Sequence, residues 1–313
     1  REEAGKYVVA EEDWTTLERN GARGLNAGTG QDSTAYFYSL PKNRIELFHL
    51  IESGRMRYPV LREFYTERSV IMEERRMRVD NSPVGTIFEA LHATAFSAHP
   101  YRGMPIGWMS DISQVARSEV EAFFRKYYAP NRAVVAVVGD FDSAEMLALF
   151  EKYWGDIPRQ PDPEEPRTVE PPQNGERRAI VTFPAQLQVV VQAWHRPAVG
   201  HPDFYVLDLI NTILNTGRTS RLHTRFVKTR LAQQVFASNQ DTRYPHLFFI
   251  GAIPLIAPPM VMHTVEECEA AIAKEIDRLK SELVPESELR KAKDTIQAPR
   301  SGGSAATRGS LRR

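Results

Sequence analysis

A proline-rich segment at residues 158–173 is the feature that most constrains the fold of this 313-residue chain. The segment contains many prolines and several acidic residues, and it shows no hydrophobic periodicity. Such a composition is typical of a linker, because proline fixes φ and removes a backbone N–H donor. The sequence therefore predicts two domains, residues 1–157 and 176–313, joined by a linker at residues 158–175.

Both halves mix strand and helix patterns without strict alternation, which predicts an α+β fold rather than a doubly wound sheet. Strand–turn–helix segments of similar length occur in each half and suggest two tandem units of related fold, each a mainly antiparallel sheet packed with helices. The predicted strands are Arg23–Thr29, Ser33–Leu40, Ala133–Val138, Ala179–Phe183, Gln188–His195, Gln233–Asn239 and His246–Ile253. Two long helices are predicted last, at about Thr264–Leu283 and Glu286–Gln297.

Composition excludes several classes of partner. The 40 basic residues balance the 40 acidic ones, which argues against a nucleic-acid binder. No apolar stretch approaches the length of a membrane span, so none is predicted. Cys268 is the only cysteine, which excludes an intramolecular disulfide and a thiolate metal cluster. We interpret Cys268 as a small packing residue in a helix rather than a nucleophile.

Two glutamates, Glu67 and Glu74, lie seven residues apart in a predicted helix over residues 60–79. Seven residues are two helical turns, so both carboxylates project from one face. Apolar side chains flank that direction and predict that this face packs against the core; they are Phe64, Val70, Ile71 and Met77. A carboxylate on an apolar face is normally paired, protonated or bound to a metal ion.

The residues alone leave two explanations of Glu74 open. Arg78 follows it by four positions, so an ion pair is one reading, and spacing by itself favours that reading. A metal site is the other. The histidines have no partners at metal-ligand spacing; His92 is interpreted as an ordinary helix residue and His99 as a residue that orders its loop.

Four segments, in this order and spacing, resemble the pitrilysin/insulinase (inverzincin) family of zinc metallopeptidases, which includes the mitochondrial processing peptidases. They are GLNAGTGQDSTAYFYSL at residues 24–40, FYTERSVIMEERR, HPYRGMPIGWMSDI and YYAPNRAVVAVVGDFD. The similarity continues through GRTSRL at residues 217–222 to about Lys293, so it covers most of the chain.

The resemblance implies a LuxS/pitrilysin-like fold and a Zn²⁺-dependent endopeptidase that cleaves extended peptides. It implies that Glu74 is a zinc ligand and that nearby Glu67 supports the ligand set without touching the metal. It also implies that an edge strand with Asn26 and Ala27 binds substrate as an added β-strand. Without the resemblance, a bulge or turn residue is an equally good interpretation of Asn26.

One departure from the family concerns the zinc histidines. The family motif H-x-x-E-H, which supplies two histidine ligands and the general base, does not occur in the sequence. The charged helix predicted at Glu2–Arg19 resembles an insertion that follows this motif in some bacterial members. We therefore expect that the motif lies upstream of Arg1 and that this chain, with one of three ligands, is inactive alone.

A second departure concerns the second half of the chain. Many members carry an arginine and a tyrosine there that bind the scissile carbonyl, but Phe226–Phe236 contains no tyrosine and has Gln233 and Gln234 near its place. Some members divide such residues between two subunits, so a homo- or heterodimer with a related subunit is predicted. The alternative is an inactive homologue that serves as a scaffold or partner subunit. The resemblance favours a periplasmic or secreted bacterial protein.

Overall fold

The computed structural model describes residues 12–185, 187–257 and 261–298, and the chain divides into two compact units. The first unit comprises Arg1–Arg76 and Pro105–Arg167, and the second comprises Met77–Met104 and Thr168–Arg313. The chain passes from the first unit to the second for the last time between Arg167 and Thr168, which is within the predicted linker. The exact bounds of the two domains stay a prediction. Residues 2–11 of the predicted N-terminal helix lie outside the described residues.

The elements follow one another along the chain with short 3₁₀ and π turns between some of them. In order they are α1 (Glu12–Arg19), β1 (Arg23–Thr29), β2 (Thr34–Ser39), α2 (Ile45–Arg57), α3 (Phe64–Arg75), α4 (Pro83–Ala95), α5 (Met109–Gln114), α6 (Arg117–Tyr127), α7 (Ser143–Trp154), β3 (Val190–Arg196), α8 (Pro202–Asn215), β4 (Ala232–Asn239), β5 (His246–Pro254), β6 (Ile256–Ala257), β7 (Val261–Met262), α9 (Val265–Ser281) and α10 (Glu286–Gln297).

The first unit contains an antiparallel hairpin of β1 and β2, and helices α2 and α7 pack together beside it. Their contact centres on His49, which is fully buried. Trp154 Nε1 donates to His49 Nδ1 at 3.3 Å, and His49 Nε2 lies 3.3 Å from Met146 Sδ. These two contacts fix the neutral tautomer with its proton on Nε2.

The second unit is built on a three-stranded antiparallel sheet in the order β3-β5-β4. Every residue of the central strand β5 is buried, because strands pair on both sides and helices cover the sheet. The core between sheet and helices is continuous; its members include Leu214, Leu222, Phe226, Ile250, Ala252, Cys268 and Ile272.

Two predicted strands, Ala133–Val138 and Ala179–Phe183, are wrong, since neither segment is a strand in the structure. Val134 and Val138 are 96% and 97% exposed, and Ile180 is 90% exposed. An apolar β-branched run favours an extended backbone, but a strand also needs a neighbour to complete its hydrogen-bond ladder. No neighbouring strand pairs with either run within the described part of the chain.

The predicted fold class is confirmed: helices form 49% of the structure and strands 14%, and both main sheets are antiparallel. The remaining predicted strands occur within a few residues of their expected bounds, and α10 begins and ends where predicted. Among the helices described by the structure, none combines the length and the apolar character needed to cross a bilayer.

The segment at residues 168–178 is tied to the C-terminal end of α4 within the second unit. The Glu170 carboxylate accepts hydrogen bonds from the backbone N–H groups of Ser97, Ala98 and His99 at 2.7–2.9 Å. Arg177 Nη1 donates to the carbonyl oxygens of residues 94 and 95, which are among the last acceptors of the helix. Residues 168–175, the second half of the predicted linker, therefore belong to a segment that specific hydrogen bonds hold in place.

We expect Glu170 to stabilise the second unit in a pH-dependent way. Partial burial opposes its charged form, but the three backbone donors outweigh that effect and lower the pKa of Glu170 to about 2. A carboxylate with a depressed pKa stabilises the fold above its ordinary pKa, and the stabilisation is lost as pH falls from about 4.5 toward about 2. Since the site is partly solvated, Glu170→Gln should lower the free energy of unfolding at pH 7 by about 1–2 kcal/mol.

Urea unfolding at pH 7 and pH 3 measures this effect. The difference between wild type and Glu170→Gln should shrink at pH 3. Glu164→Gln is the control, because Glu164 lies six residues earlier in the predicted linker, its side chain is 82% exposed, and it forms an ion pair with the exposed Arg167. It should change stability by less than about 0.5 kcal/mol. If the two substitutions lowered the free energy of unfolding equally, the stabilising role assigned to the Glu170 carboxylate would be contradicted.

Candidate functional site

Helix α3 carries both predicted carboxylates, and Glu74 occupies its penultimate position. Glu67 is exposed and Glu74 is half-buried. Because seven residues complete two turns, the two side chains project along the same side of the helix. The structure thus preserves the helical spacing on which the prediction depends, while the roles of Glu67 and Glu74 remain predictions.

The apolar stripe predicted to face the core does not do so. Val70, Ile71 and Met77 are 52%, 40% and 66% exposed. The side of α3 that packs on the segment around α5 instead carries two arginines. Arg75 is buried, donates to the carbonyl of Gly107 at 2.5 Å and places its guanidinium 5.4 Å from the ring of Trp108.

The second arginine, Arg68, donates from Nη1 to the carbonyl of Val115 at 3.2 Å. Arg68 and Arg75 are also seven residues apart, each one position after a glutamate. One position is a rotation of about 100°, so the arginines and the glutamates occupy different sides of the helix. The sequence contained this signal, but arginine is rarely expected on a packing face. Its aliphatic stem and planar head make it suitable there.

A π turn at Arg76–Asp80 follows the last residue of α3, Arg75, directly. Helix α4 then begins, with the Ser82 side chain accepting from the N–H of Gly85 at 3.1 Å. Gly85 lies against the π turn so closely that a Cβ atom there would be 2.8 Å from Val79 Cα. Isolated π turns often occur at functional sites. Arg78, the proposed ion-pair partner of Glu74, lies in this turn, and the two interpretations of Glu74 both stay open.

The predicted substrate strand is β1, and Asn26 and Ala27 are exposed on it. In the described part of the chain β1 pairs on one side only, with Asn26 opposite Phe37 and Ala27 opposite Tyr36. The N–H of Ala27 donates to Asn26 Oδ1 at 2.8 Å. A register irregularity lies between Arg23 and Asn26. The bulge interpretation of Asn26 is therefore supported, and a one-sided edge is present as well.

The described residues contain no group of three or more histidine, cysteine, aspartate or glutamate side chains arranged to hold a metal ion. Protein zinc sites use three or four such ligands. Glu74 offers one carboxylate, so the residues described here do not by themselves fit a zinc site. No chemical step is therefore derived through a metal from this structure.

Four histidines come together in the second unit, although sequence spacing gave no sign of it. His92, His99, His195 and His246 surround Phe96, with ring centroids 5.3–6.5 Å from its centre. His99 orders its loop as predicted, because its Nδ1 accepts from the N–H of Tyr101 at 3.2 Å. His92 lies in helix α4, as predicted, and is buried there. The contacts link residues about 150 positions apart, which no local pattern reports.

Cys268 is confirmed as a packing residue, since it is fully buried in the core of the second unit. Burial, with a smaller contribution from the neighbouring Glu267 carboxylate, raises the pKa of its thiol to about 11. We expect less than about 0.1 equivalent of native protein to react with iodoacetamide at pH 7.5, against about one equivalent in denaturant. Full labelling of the folded protein, measured by mass spectrometry, would contradict the burial of this thiol.

The fold is that of M16 peptidase domains: the structural neighbours of this chain include a protease and a domain described as a peptidase M16 inactive domain. The family described as "Peptidase M16 inactive domain" matches residues 114–296. The chain therefore belongs to the M16 peptidase family. The family resemblance inferred from the sequence is confirmed.

Three relatives illustrate the relationship. The chain is 32% identical to zinc protease PqqE of Helicobacter pylori over 276 residues, which are 86% of this chain and 61% of that protein. It is 27% identical to a probable mitochondrial-processing peptidase subunit beta of Schizosaccharomyces pombe over 146 residues, 45% of this chain and 31% of the other. The crystal structure of a protease from Helicobacter pylori superimposes with a TM-score of 0.85 at 30% identity, covering 93% of this chain and 70% of that one.

These relatives are longer than this chain, which spans 61% of PqqE. Zinc proteases and a subunit of a processing peptidase occur among them. Family-level similarity to metallopeptidases is therefore established, and the activity of the whole protein is a matter for proposal.

Proposed function

We propose that the whole protein is a zinc-dependent metalloendopeptidase that cleaves extended peptides. In this proposal Glu74 is one protein ligand of Zn²⁺, Glu67 orients the ligand set, and the remaining ligands lie outside this sequence. The observation that carries the proposal is that the packing residues of α3 and its two glutamates lie on different sides of the helix. Arg68 and Arg75 make its packing contacts, so Glu67 and Glu74 project from a side that packing on α5 does not use.

Family membership supports the metal part of the proposal, because similar proteins are named zinc proteases. Metal ligation also gives a physical role to the paired carboxylates. A liganding carboxylate is compensated by the positive metal, and a second carboxylate nearby orients the ligand set. The location proposed for the whole protein is periplasmic or secreted.

The edge of β1 supports the substrate part of the proposal. An extended peptide that adds to this edge is held by main-chain hydrogen bonds, with little demand on its sequence. The Asn26 side chain accepts from the N–H of Ala27, so a bound peptide that used this donor would displace the Asn26 carboxamide. Substrates are therefore expected to be unstructured or locally unfolded peptides.

Chelator-sensitive cleavage of an unstructured peptide by the longer protein tests the activity. We expect cleavage that stops with a chelator and returns with added Zn²⁺. Ala27→Pro should raise KM with little change in kcat, because proline removes a main-chain donor at the proposed edge. Absence of cleavage by a folded, zinc-supplied protein would contradict the proposal.

The second candidate function is an inactive scaffold or partner subunit. It is favoured by the match of residues 114–296 to a domain described as inactive. It is also favoured by the relative named as a subunit of a processing peptidase. The discriminating outcome is a protein that cleaves nothing alone but raises cleavage by a related subunit when the two are mixed. A homo- or heterodimer of related subunits belongs to this proposal.

A further inference from the structure

The second unit contains a histidine cluster, defined here as His92, Phe96, His99, Tyr101, His195 and His246, in which every member except the exposed His195 is buried. It joins α4 and the loop after it to strands β3 and β5. The rings of His92 and His246 lie 5.4 Å apart, and the rings of Tyr101 and His246 lie 5.0 Å apart. Aromatic and imidazole rings therefore form part of the contact between α4 and the sheet at this end, beside aliphatic side chains such as Leu91 and Leu247.

His246 is the most deeply buried member, with 1% of its surface exposed. Neither of its ring nitrogens makes a hydrogen bond of normal geometry. His92 is 7% exposed, and its Nδ1 lies 2.8 Å from the carbonyl oxygen of Phe88. A carbonyl only accepts, so Nδ1 carries the proton and His92 Nε2 is a bare acceptor when the ring is neutral.

The charged groups around His92 and His246 would not compensate the positive charge that protonation adds to either ring. From β3, the buried cation Arg196 and the imidazole of His195 face His246, and both oppose its protonation. Asp241, from the loop before β5, acts on Arg196. Glu170 is held by three backbone N–H groups and acts on His195.

Three further titratable side chains lie around the pair, and none of them is a carboxylate. His99 and Tyr101 come from the loop after α4, and Tyr244 comes from the loop before β5. Burial, with His92 and Arg196 nearby, lowers the pKa of His246 to about 3, and burial lowers the pKa of His92 as well.

We propose that the histidine cluster is an acid-sensitive latch: protonation of His246 and His92 releases α4 and the loop that follows it from the sheet of the second unit. An imidazolium at His246 would be a buried charge beside Arg196, and no carboxylate of the described residues pairs with it, which is strongly unfavourable. Release exposes both rings to water and removes that penalty. The latch does not depend on the proposed peptidase activity.

The sign of the effect follows from proton binding. The open state binds protons near the ordinary histidine pKa of about 6.5, and the closed state binds them only at much lower pH. The opening equilibrium constant therefore rises as pH falls below about 6.5, by about tenfold per pH unit for each histidine involved. From pH 6.5 to pH 4.5, one histidine gives an increase of about 50-fold, because it is already half protonated in the open state at pH 6.5.

Hydrogen exchange of the whole chain, followed by mass spectrometry and corrected for the intrinsic pH dependence of exchange, tests the latch. At pH 4.5 we expect peptides from residues 83–104 to lose at least about 50-fold of the protection they have at pH 6.5. Peptides from α9 and α10 should keep theirs. His246→Phe should remove the contribution of His246, which is about half of the pH dependence of protection of residues 83–104 on a logarithmic scale, and leave the contribution of His92.

His201→Asn is the matched control, because His201 lies in the same unit, is exposed and caps α8 by accepting from the N–H of Asp203. Asparagine is a good substitute at such a cap, so this variant should open with acid like the wild type. If His246→Phe does not fold, His92→Leu should reduce the pH dependence by about half. Wild-type protection that is equal at both pH values, or acid opening that persists unchanged in the histidine variants, overturns the proposal.

Discussion

In the longer protein, Glu74→Gln is expected to remove bound zinc and to lower peptide cleavage on the order of 10³-fold or more. Glutamine keeps the size of the side chain but removes the negative charge that a zinc ligand needs. Glu67→Gln should have a smaller effect, a loss of about 10- to 100-fold in activity or zinc affinity, because it acts on the ligand set without touching the metal. Zinc content by atomic absorption and kcat/KM on one unstructured peptide measure both effects.

Glu73→Gln provides a matched control on the same helix. Glu73 precedes Glu74, its side chain is 71% exposed, and it pairs with Arg76 on the surface. Since an exposed ion pair is worth little, this variant should keep full zinc content and activity. A Glu74→Gln protein with wild-type zinc content would refute the ligand assignment and favour the ion-pair interpretation of Glu74.

Gly85→Ala is expected to destabilise the second unit by about 3 kcal/mol or more. A Cβ atom at this position would overlap the carbonyl oxygen of Arg78 and lie 2.8 Å from Val79 Cα. These obstacles are backbone atoms, so rotation of a side chain does not relieve the clash. The π turn, the start of α4, or both have to move.

Thermal unfolding of the 313-residue chain measures this effect, and a decrease in Tm of about 6–12 °C is expected. Gly54→Ala is the control. Gly54 lies inside α2, and a Cβ atom there would meet no heavy atom within 4 Å. Alanine should therefore stabilise that helix by about 0.5–1 kcal/mol. If Gly85→Ala is neutral, the close approach between α4 and the π turn is incorrect.

Local signals were sufficient for much of the fold. Helix α10 has the predicted bounds Glu286–Gln297, because Pro285 precedes it and its pattern has the period of a helix. Strands β4 and β5 alternate or run apolar between turn residues, as strands in a covered sheet do. In each case the residues that determine the element lie within it.

Non-local pairing explains what the sequence did not predict. The valines of Ala133–Val138 have the composition of a buried strand, but burial depends on a partner that the run itself does not specify. The packing side of α3 depends on Trp108 and the carbonyls around it, which lie over thirty residues beyond Arg75. The histidine cluster depends on the meeting of α4 with β5, so its members had no visible partners in the sequence.

The candidate site contains features that local sequence signals predict and one feature that depends on non-local packing. The seven-residue spacing of Glu67 and Glu74 and the exposed edge at Asn26 and Ala27 were visible in the sequence and are present in the structure. The identity of the packing face of α3 was not visible. Glu74 keeps the position on α3 that the proposed ligand role requires, and in that proposal the other zinc ligands come from residues outside this sequence.

The reading frame upstream of the codon for Arg1 tests the central claim most directly. A zinc peptidase in which Glu74 is one ligand requires two histidines and a general base from elsewhere. We predict an in-frame H-x-x-E-H motif upstream, and zinc bound by the longer protein in a one-to-one ratio. A natural protein whose reading frame contains no such motif would contradict the peptidase assignment and leave the scaffold or partner-subunit function in its place.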